Sequence, residues 1–172
     1  VVVAAPRASG ASRPQADGIV TDAEDVVLLV RAADCVPVLL ADHDAGVLGA
    51  AHAGRPGVEA GVLTATVAAM RDLGARQVTA WVGPYVCGAC YEVPRDLQQQ
   101  VAAAVPATLA TTSWGTPSLD LGAGVRAQLE AEDVTVVDVS ACTRESPDLY
   151  SYRRDGDRSG RLAGLIRTHA RD

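Results

Sequence analysis

The sequence predicts a mixed α+β domain in which strands and helices interleave. Three observations carry that expectation. Residues 26–31, 36–41 and 47–51 are continuous apolar runs of strand length, and Asp42-His43-Asp44-Ala45-Gly46 between the last two reads as a hairpin turn. After residue 55 the apolar period changes, with Val58, Val62, Leu63, Val67 and Met70 at helical spacing. No strand is followed by a GxGxxG or P-loop segment, so a doubly wound nucleotide-cofactor sheet is not indicated.

Each element follows in turn. The opening Val1-Val2-Val3-Ala4-Ala5-Pro6 reads as the tail of a strand, and it has no basic segment of the kind that starts a signal peptide. Residues 6–18, rich in Pro, Ser, Gly and Arg, read as an exposed loop. Gly46 supplies the permissive φ of the hairpin turn, and His43 within it reads as a solvated side chain. Residues 56–73 read as one helix, with Pro56 near its first position and Gly74 just past its end. Residues 78–82 and 134–139 read as strands, and 94–105 and 121–131 as helices. Residues 150–153 and 162–166 are short strand candidates. No repeat and no shift in composition divides the chain, so residues 1–172 read as one domain.

Composition narrows the function. With 172 residues and 48% hydrophobic content the chain can bury a core and is not disordered. Aromatics are 3% and Phe is absent, so that core is built from Val, Leu and Ala. The net charge of −6 and pI near 5.0, with no basic run, argue against nucleic acid or an anionic membrane as partner. No apolar stretch is long enough to span a bilayer. Nothing implies secretion, so a reducing cytoplasm is expected.

Two segments hold residues suited to chemistry. Cys35, in Ala33-Asp34-Cys35, and His52, in Ala51-His52-Ala53-Gly54, each sit at the end of an apolar run beside small residues. If those runs are neighbouring strands, thiol and imidazole meet at one end of a sheet. The pair suits zinc, and it equally suits a nucleophile with its base. The plain alternative is a buried cysteine and an unrelated histidine. Cys87-Gly88-Ala89-Cys90 follows Gly83-Pro84 in a loop context, without a second CxxC or an HxxxH. Cys87 and Cys90 therefore read as loop or core cysteines rather than as a metal or redox pair. Asp120, just before a helix, reads as an N-cap rather than a catalytic acid, and Glu92 reads either way.

The blocks containing these residues resemble the YfiH family, also called the laccase-domain or multicopper polyphenol oxidoreductase family. The matching blocks are Ala16-Asp17-Gly18-Ile19-Val20-Thr21, Ala33 to Leu39, Ala51 to Gly54, and Gly83-Pro84 with Cys90-Tyr91-Glu92-Val93. Leu119-Asp120-Leu121, Cys142-Thr143, and Tyr150 to Asp155 with Gly160 to Gly164 follow in the same order. The resemblance implies a layered α/β/β/α fold with mixed sheets, similar to the catalytic domain of cytotoxic necrotizing factor. It implies phosphorolysis of adenosine, inosine, guanosine and methylthioadenosine, with inorganic phosphate as co-substrate, and deamination of adenosine. It implies zinc held by Cys35, His52 and a third histidine, with Asp34 orienting a ligand or handling a proton; older usage for the family has copper. The third histidine belongs to a block upstream of the part matching Val1, so the chain resembles a member lacking its N-terminal segment. Arg55 and Pro56 stand where the family usually has Trp and Arg, and Ala32 where it has Thr. His43 and His169 would replace the third histidine only by coincidence, and His169 in the polar C-terminal tail reads as solvated.

Phosphorolysis needs groups that hold phosphate, and arginine is the natural one. Arg55, beside the AHAG block, Arg153 and Arg154 are the candidates; the plain alternative for residues 153–158 is a solvated turn with surface ion pairs. Laccase chemistry fits poorly, because a multicopper cluster needs many histidines and the chain has 3. Two further readings stay open: a zinc-free hydrolase with Cys35 as nucleophile and His52 as base, and an inactive fragment that binds a partner.

Overall fold

The two apolar runs flanking residues 42–46 pair as an antiparallel hairpin, β4 (Val36–Asp42) with β5 (Val47–Ala53), in the register Val36 to Ala53 through Asp42 to Val47. The structure, a computed structural model, describes residues 1–4 and 15–168. Around the hairpin lie β1 (Val2–Val3), β2 (Gly18–Thr21), β6 (Thr79–Val82) and β9 (Thr135–Asp138), giving a six-stranded mixed sheet in the order β1-β2-β5-β4-β6-β9. The β1–β2 and β6–β9 pairs are parallel and the rest antiparallel.

One face of this sheet carries the helices α1 (Arg55–Glu59), α2 (Val62–Asp72), α3 (Arg95–Ala104) and α4 (Leu121–Ala131). The main core lies between them, where Val38, Leu40, Leu63, Val67, Met70, Val125 and Leu129 are fully buried. The other face is covered by a two-stranded ribbon, β3 (Val27–Ala32) against β10 (Leu162–Arg167). A smaller core of Leu28, Val30, Leu48 and Ala50 fills that interface. The molecule is thus a mixed α+β fold with helices on one side of a mixed sheet and a second β layer on the other.

Four expectations change. Residues 56–73 are not one helix: α1 ends at Glu59, and Gly61, with φ of +75°, breaks the path before α2 begins. Residues 26–31, read as one continuous apolar run, are buried on alternate positions only, because nothing among the described residues covers the outer face of β3. Val27 and Leu29 are each half exposed. Residues 150–153 are not a strand; Ser151 caps a single helical turn, α5 (Tyr152–Asp155), accepting the Arg154 N–H at 3.2 Å. Gly18, placed in a loop, opens β2. A short hairpin of β7 (Leu109–Thr111) and β8 (Pro117–Leu119) has no counterpart in the sequence reading. Asp120 is the N-cap expected of it, accepting the Ala123 N–H at 2.9 Å.

The end of the β4–β5 hairpin away from the site is pinned by Asp42, which is buried. Its carboxylate accepts N–H groups of Ala45, Arg76 and Gln77 at 3.0, 2.6 and 2.8 Å. Burial pushes the carboxyl up, but the backbone N–H groups together outweigh it and hold the Asp42 pKa below the usual carboxylate value.

Candidate functional site

At the other end of the hairpin, Cys35 directly precedes β4 and His52 is the penultimate residue of β5, paired with Pro37. Gly54 sits beside both. A Cβ there would lie 3.2 Å from Cys35 Sγ, 3.2 Å from His52 Cε1 and 3.7 Å from His52 Nε2. Sulfur and Nε2 therefore face the same small space, left open by the glycine.

His52 is gripped from its other side by Asp17. The Asp17 carbonyl accepts the His52 N–H at 2.7 Å, and its carboxylate bonds Nδ1 at 3.0 Å. The hydrogen bond to the Cys35 sulfur and the one to Asp17 raise the imidazole pKa to about 9, against burial that lowers it. An anchored Nδ1 leaves Nε2 as the ligand atom, the arrangement by which a carboxylate orients a metal-binding histidine. Thiol and imidazole thus fit zinc as two of its ligands, and a closed or catalytic zinc site takes at least one more.

Asp34 turns the chain into Cys35 with φ of +79°, rare for a residue with a side chain. Its buried carboxylate accepts the Thr143 hydroxyl at 2.6 Å and the Arg153 N–H at 2.6 Å, and its carbonyl accepts the Val86 N–H at 3.0 Å. Both carboxylate oxygens are thereby engaged in tying residues 143 and 153 to the cysteine turn.

Cys35 and His52 open into a cleft of about 560 Å³, also lined by Arg31, Tyr91, Leu121, Tyr152, Arg153 and Arg161. Arg153 stacks over the Tyr91 ring, 4.5 Å from its centroid, and donates to the Glu92 carbonyl at 2.9 Å. Glu92 also accepts the Trp114 indole N–H at 2.8 Å through its carboxylate. Of the three arginines expected to hold phosphate, only Arg153 lines the cleft. Arg55 pairs with Glu59 one helical turn on, at 3.6 Å. Arg154 faces the 143–149 loop, donating to the carbonyls of Thr143, Ser146 and Leu149 at 3.0, 2.9 and 2.7 Å. Arg31, on β3, and Arg161, just before β10, also line the cleft. Neither they nor Asp17 stood out in the sequence, although Asp17 and Arg161 lay within matching blocks.

The reading of Cys87 and Cys90 as lacking further ligands is corrected. A parallel bridge between Tyr85 and Cys142 brings the segment 141–146 alongside them. Cys87, Cys90, Cys142 and Glu145 place three sulfurs and a carboxylate oxygen within 4.8 Å of one another. The complement is Cys142-Thr143-Arg144-Glu145, whose spacing is neither a second CxxC nor an HxxxH. Burial first, then the neighbouring thiols and Glu145, push the Cys90 thiol up to about 12. His43 lies in the exposed hairpin turn, its Nδ1 3.4 Å from Asp44, while His169 lies outside the described residues.

Comparison with known proteins gives four consistent results. A family model described as multi-copper polyphenol oxidoreductase laccase matches residues 1–169. A Streptomyces griseus protein named purine nucleoside phosphorylase ORF3 is 54% identical over 168 residues, covering 96% of this chain and 68% of that protein. A Streptomyces coelicolor protein also named purine nucleoside phosphorylase is 54% identical over 156 residues, covering 89% and 64%. Among solved structures, a Neisseria meningitidis protein of the DUF152 family superposes with a TM-score of 0.82 at 36% identity, covering 96% of this chain and 69% of that one. The chain thus spans about two thirds of the length of these relatives. No helix among the described residues is long and apolar enough to cross a membrane.

Proposed function

Since the chain belongs to the multi-copper polyphenol oxidoreductase laccase family, we propose that its Cys35–His52 cleft splits purine nucleosides with inorganic phosphate. The observation that carries this reading is the convergence of a thiol–imidazole pair and three arginines on one cleft. The names of the relatives point to the same reaction. The substrate class is adenosine, inosine, guanosine and methylthioadenosine.

In this reading a phosphate oxygen bonds to the anomeric carbon as the C–N bond breaks, and the base leaves with the bonding electrons and gains a proton. Positive charge builds on the sugar, so the protein's task is to hold phosphate close and in line. Arg153, Arg31 and Arg161 do this; Arg153 is pre-oriented by Tyr91 below its plane and by the Asp34 bond to its backbone. Tyr152 offers the purine a face on which to stack. Asp34 is a positioning residue, acting through Cys35, Thr143 and Arg153.

In this proposal Cys35 Sγ and His52 Nε2 would hold zinc as two of its ligands, with at least one more completing the site; copper is the alternative for the same donors. A zinc ion supplies Lewis acidity and lowers the pKa of water, the chemistry suited to adenosine deamination as a second activity. His52 must lose its proton to serve as ligand, so metal and proton compete for Nε2.

The test follows ribose 1-phosphate and hypoxanthine released from inosine and phosphate. Arg153→Ala should raise the KM for phosphate by about 10-fold or more, since charge-assisted bonds contribute roughly 1.5–3 kcal/mol each. An unchanged KM would remove Arg153 from the phosphate site. A second reading rests on the chain Cys35–His52–Asp17, which has the order nucleophile, base, orienting carboxylate. Turnover of an ester that depends on Cys35, persists after chelation and is unmatched by inosine would favour it.

A further inference from the structure

Behind the Tyr91 wall of the cleft, the described structure holds four donors with no assigned role. The sulfurs of Cys87, Cys90 and Cys142 and a carboxylate oxygen of Glu145 lie within 4.8 Å of one another, and all three cysteines are free thiols. Tetrahedral zinc with Zn–S near 2.3 Å separates its sulfurs by about 3.8 Å. The set therefore closes on an ion through side-chain adjustment alone.

The backbone is already arranged for it. The Cys87 carbonyl accepts the N–H groups of Cys90 at 2.9 Å and Tyr91 at 3.0 Å, a tight turn that brings both sulfurs to the same side. The Cys87 N–H donates to Cys142 Sγ at 3.5 Å, and the Cys90 thiol donates to Glu145 Oε1 at 3.5 Å. Reciprocal backbone bonds, Tyr85 N–H to the Ala141 carbonyl at 3.2 Å and Thr143 N–H to the Tyr85 carbonyl at 3.0 Å, lock the two segments together. Arg144, stacked on Trp114 and 3.5 Å from the Cys90 carbonyl, brings positive charge beside an anionic donor set.

We propose that Cys87, Cys90, Cys142 and Glu145 form a second metal site, separate from Cys35–His52, that takes a zinc-class divalent cation. Three thiolates select such a cation over magnesium or calcium, and four protein donors make a closed, structural site rather than a catalytic one. Binding releases the three thiol protons to solvent. The ion braces the cleft from behind: Cys90 adjoins Tyr91 in its wall, and Cys142 adjoins Thr143, which holds Asp34.

The test does not depend on catalysis. The purified protein is stripped of metal under reducing conditions and titrated with cobalt(II), following the near-ultraviolet thiolate-to-cobalt band; zinc per chain is measured by elemental mass spectrometry. Cys35→Ala should keep the strong multi-thiolate band. Cys142→Ser should lose it. Glu145→Gln, at an exposed side chain and with unchanged circular dichroism, should weaken cobalt affinity by at least about 10-fold. The proposal is overturned if Cys142→Ser and Glu145→Gln bind as the parent does. It is equally overturned if Cys35→Ala abolishes all thiolate–cobalt absorption, or if the protein as isolated carries a disulfide within this cluster and no metal there.

Discussion

Gly54 sets the spacing of the two groups at the centre of the cleft. Its φ of −75° and ψ of 169° suit any residue, so its role is room and not backbone freedom. Gly54→Ala would place a methyl 3.2 Å from both Cys35 Sγ and His52 Cε1. We expect kcat/KM for inosine to fall on the order of 10–100-fold, with little change in thermal unfolding, because small displacements at a reacting centre cost this much. Unchanged turnover would show that the Cys35–His52 spacing is not used. Cys35 and His52 were legible because each closes an apolar run, so local sequence carries their position. Asp17 was not, since it reaches His52 across 35 residues through the β2–β5 pairing. Arg31 and Arg161 were hidden likewise, because only the β3–β10 register brings them to the cleft.

At the scale of elements, the hairpin and the α4 boundaries could be read directly, since turn chemistry and an Asp cap are local signals. The β7–β8 hairpin escaped because strands of 3 residues carry no period. The helical turn at Tyr152 escaped because it is a single turn with no apolar period, and its Asp34 anchor is tertiary. Asp42 shows how one side chain links elements, joining the β4–β5 turn to the α2–β6 connection. A carboxyl whose folded pKa lies below its ordinary 3.8 contributes stability above that pH and loses it as pH falls through the folded value. Asp42→Asn should therefore lower the unfolding free energy at pH 7 by about 1–3 kcal/mol. The gap to the parent should close below about pH 4. Urea melts at both pH values check this; a gap independent of pH would contradict it.

For the whole molecule, the two β layers divide the burden unequally. The helix-side core holds Leu63, fully buried, whereas Leu165 on the outer face of the ribbon is 58% exposed. Leu63→Ala should cost about 2–5 kcal/mol, and Leu165→Ala should stay within about 0.5 kcal/mol. Denaturant melts compare them; equal losses would mean that the outer ribbon face is covered in solution. The layering also explains the site. The main sheet supplies Cys35 and His52, the ribbon supplies Arg31, and the loop following β9 leads into α5 with Arg153.

The cleft formed by these three parts is the central claim, and kcat/KM for inosine phosphorolysis tests it most directly. The protein is assayed as parent, as Cys35→Ala and as His52→Ala, with folding verified by circular dichroism. We predict that both variants lose at least about 100-fold, a larger loss than removal of a supporting residue causes. Phosphorolysis at the parent rate in either folded variant would place the reaction elsewhere in the molecule.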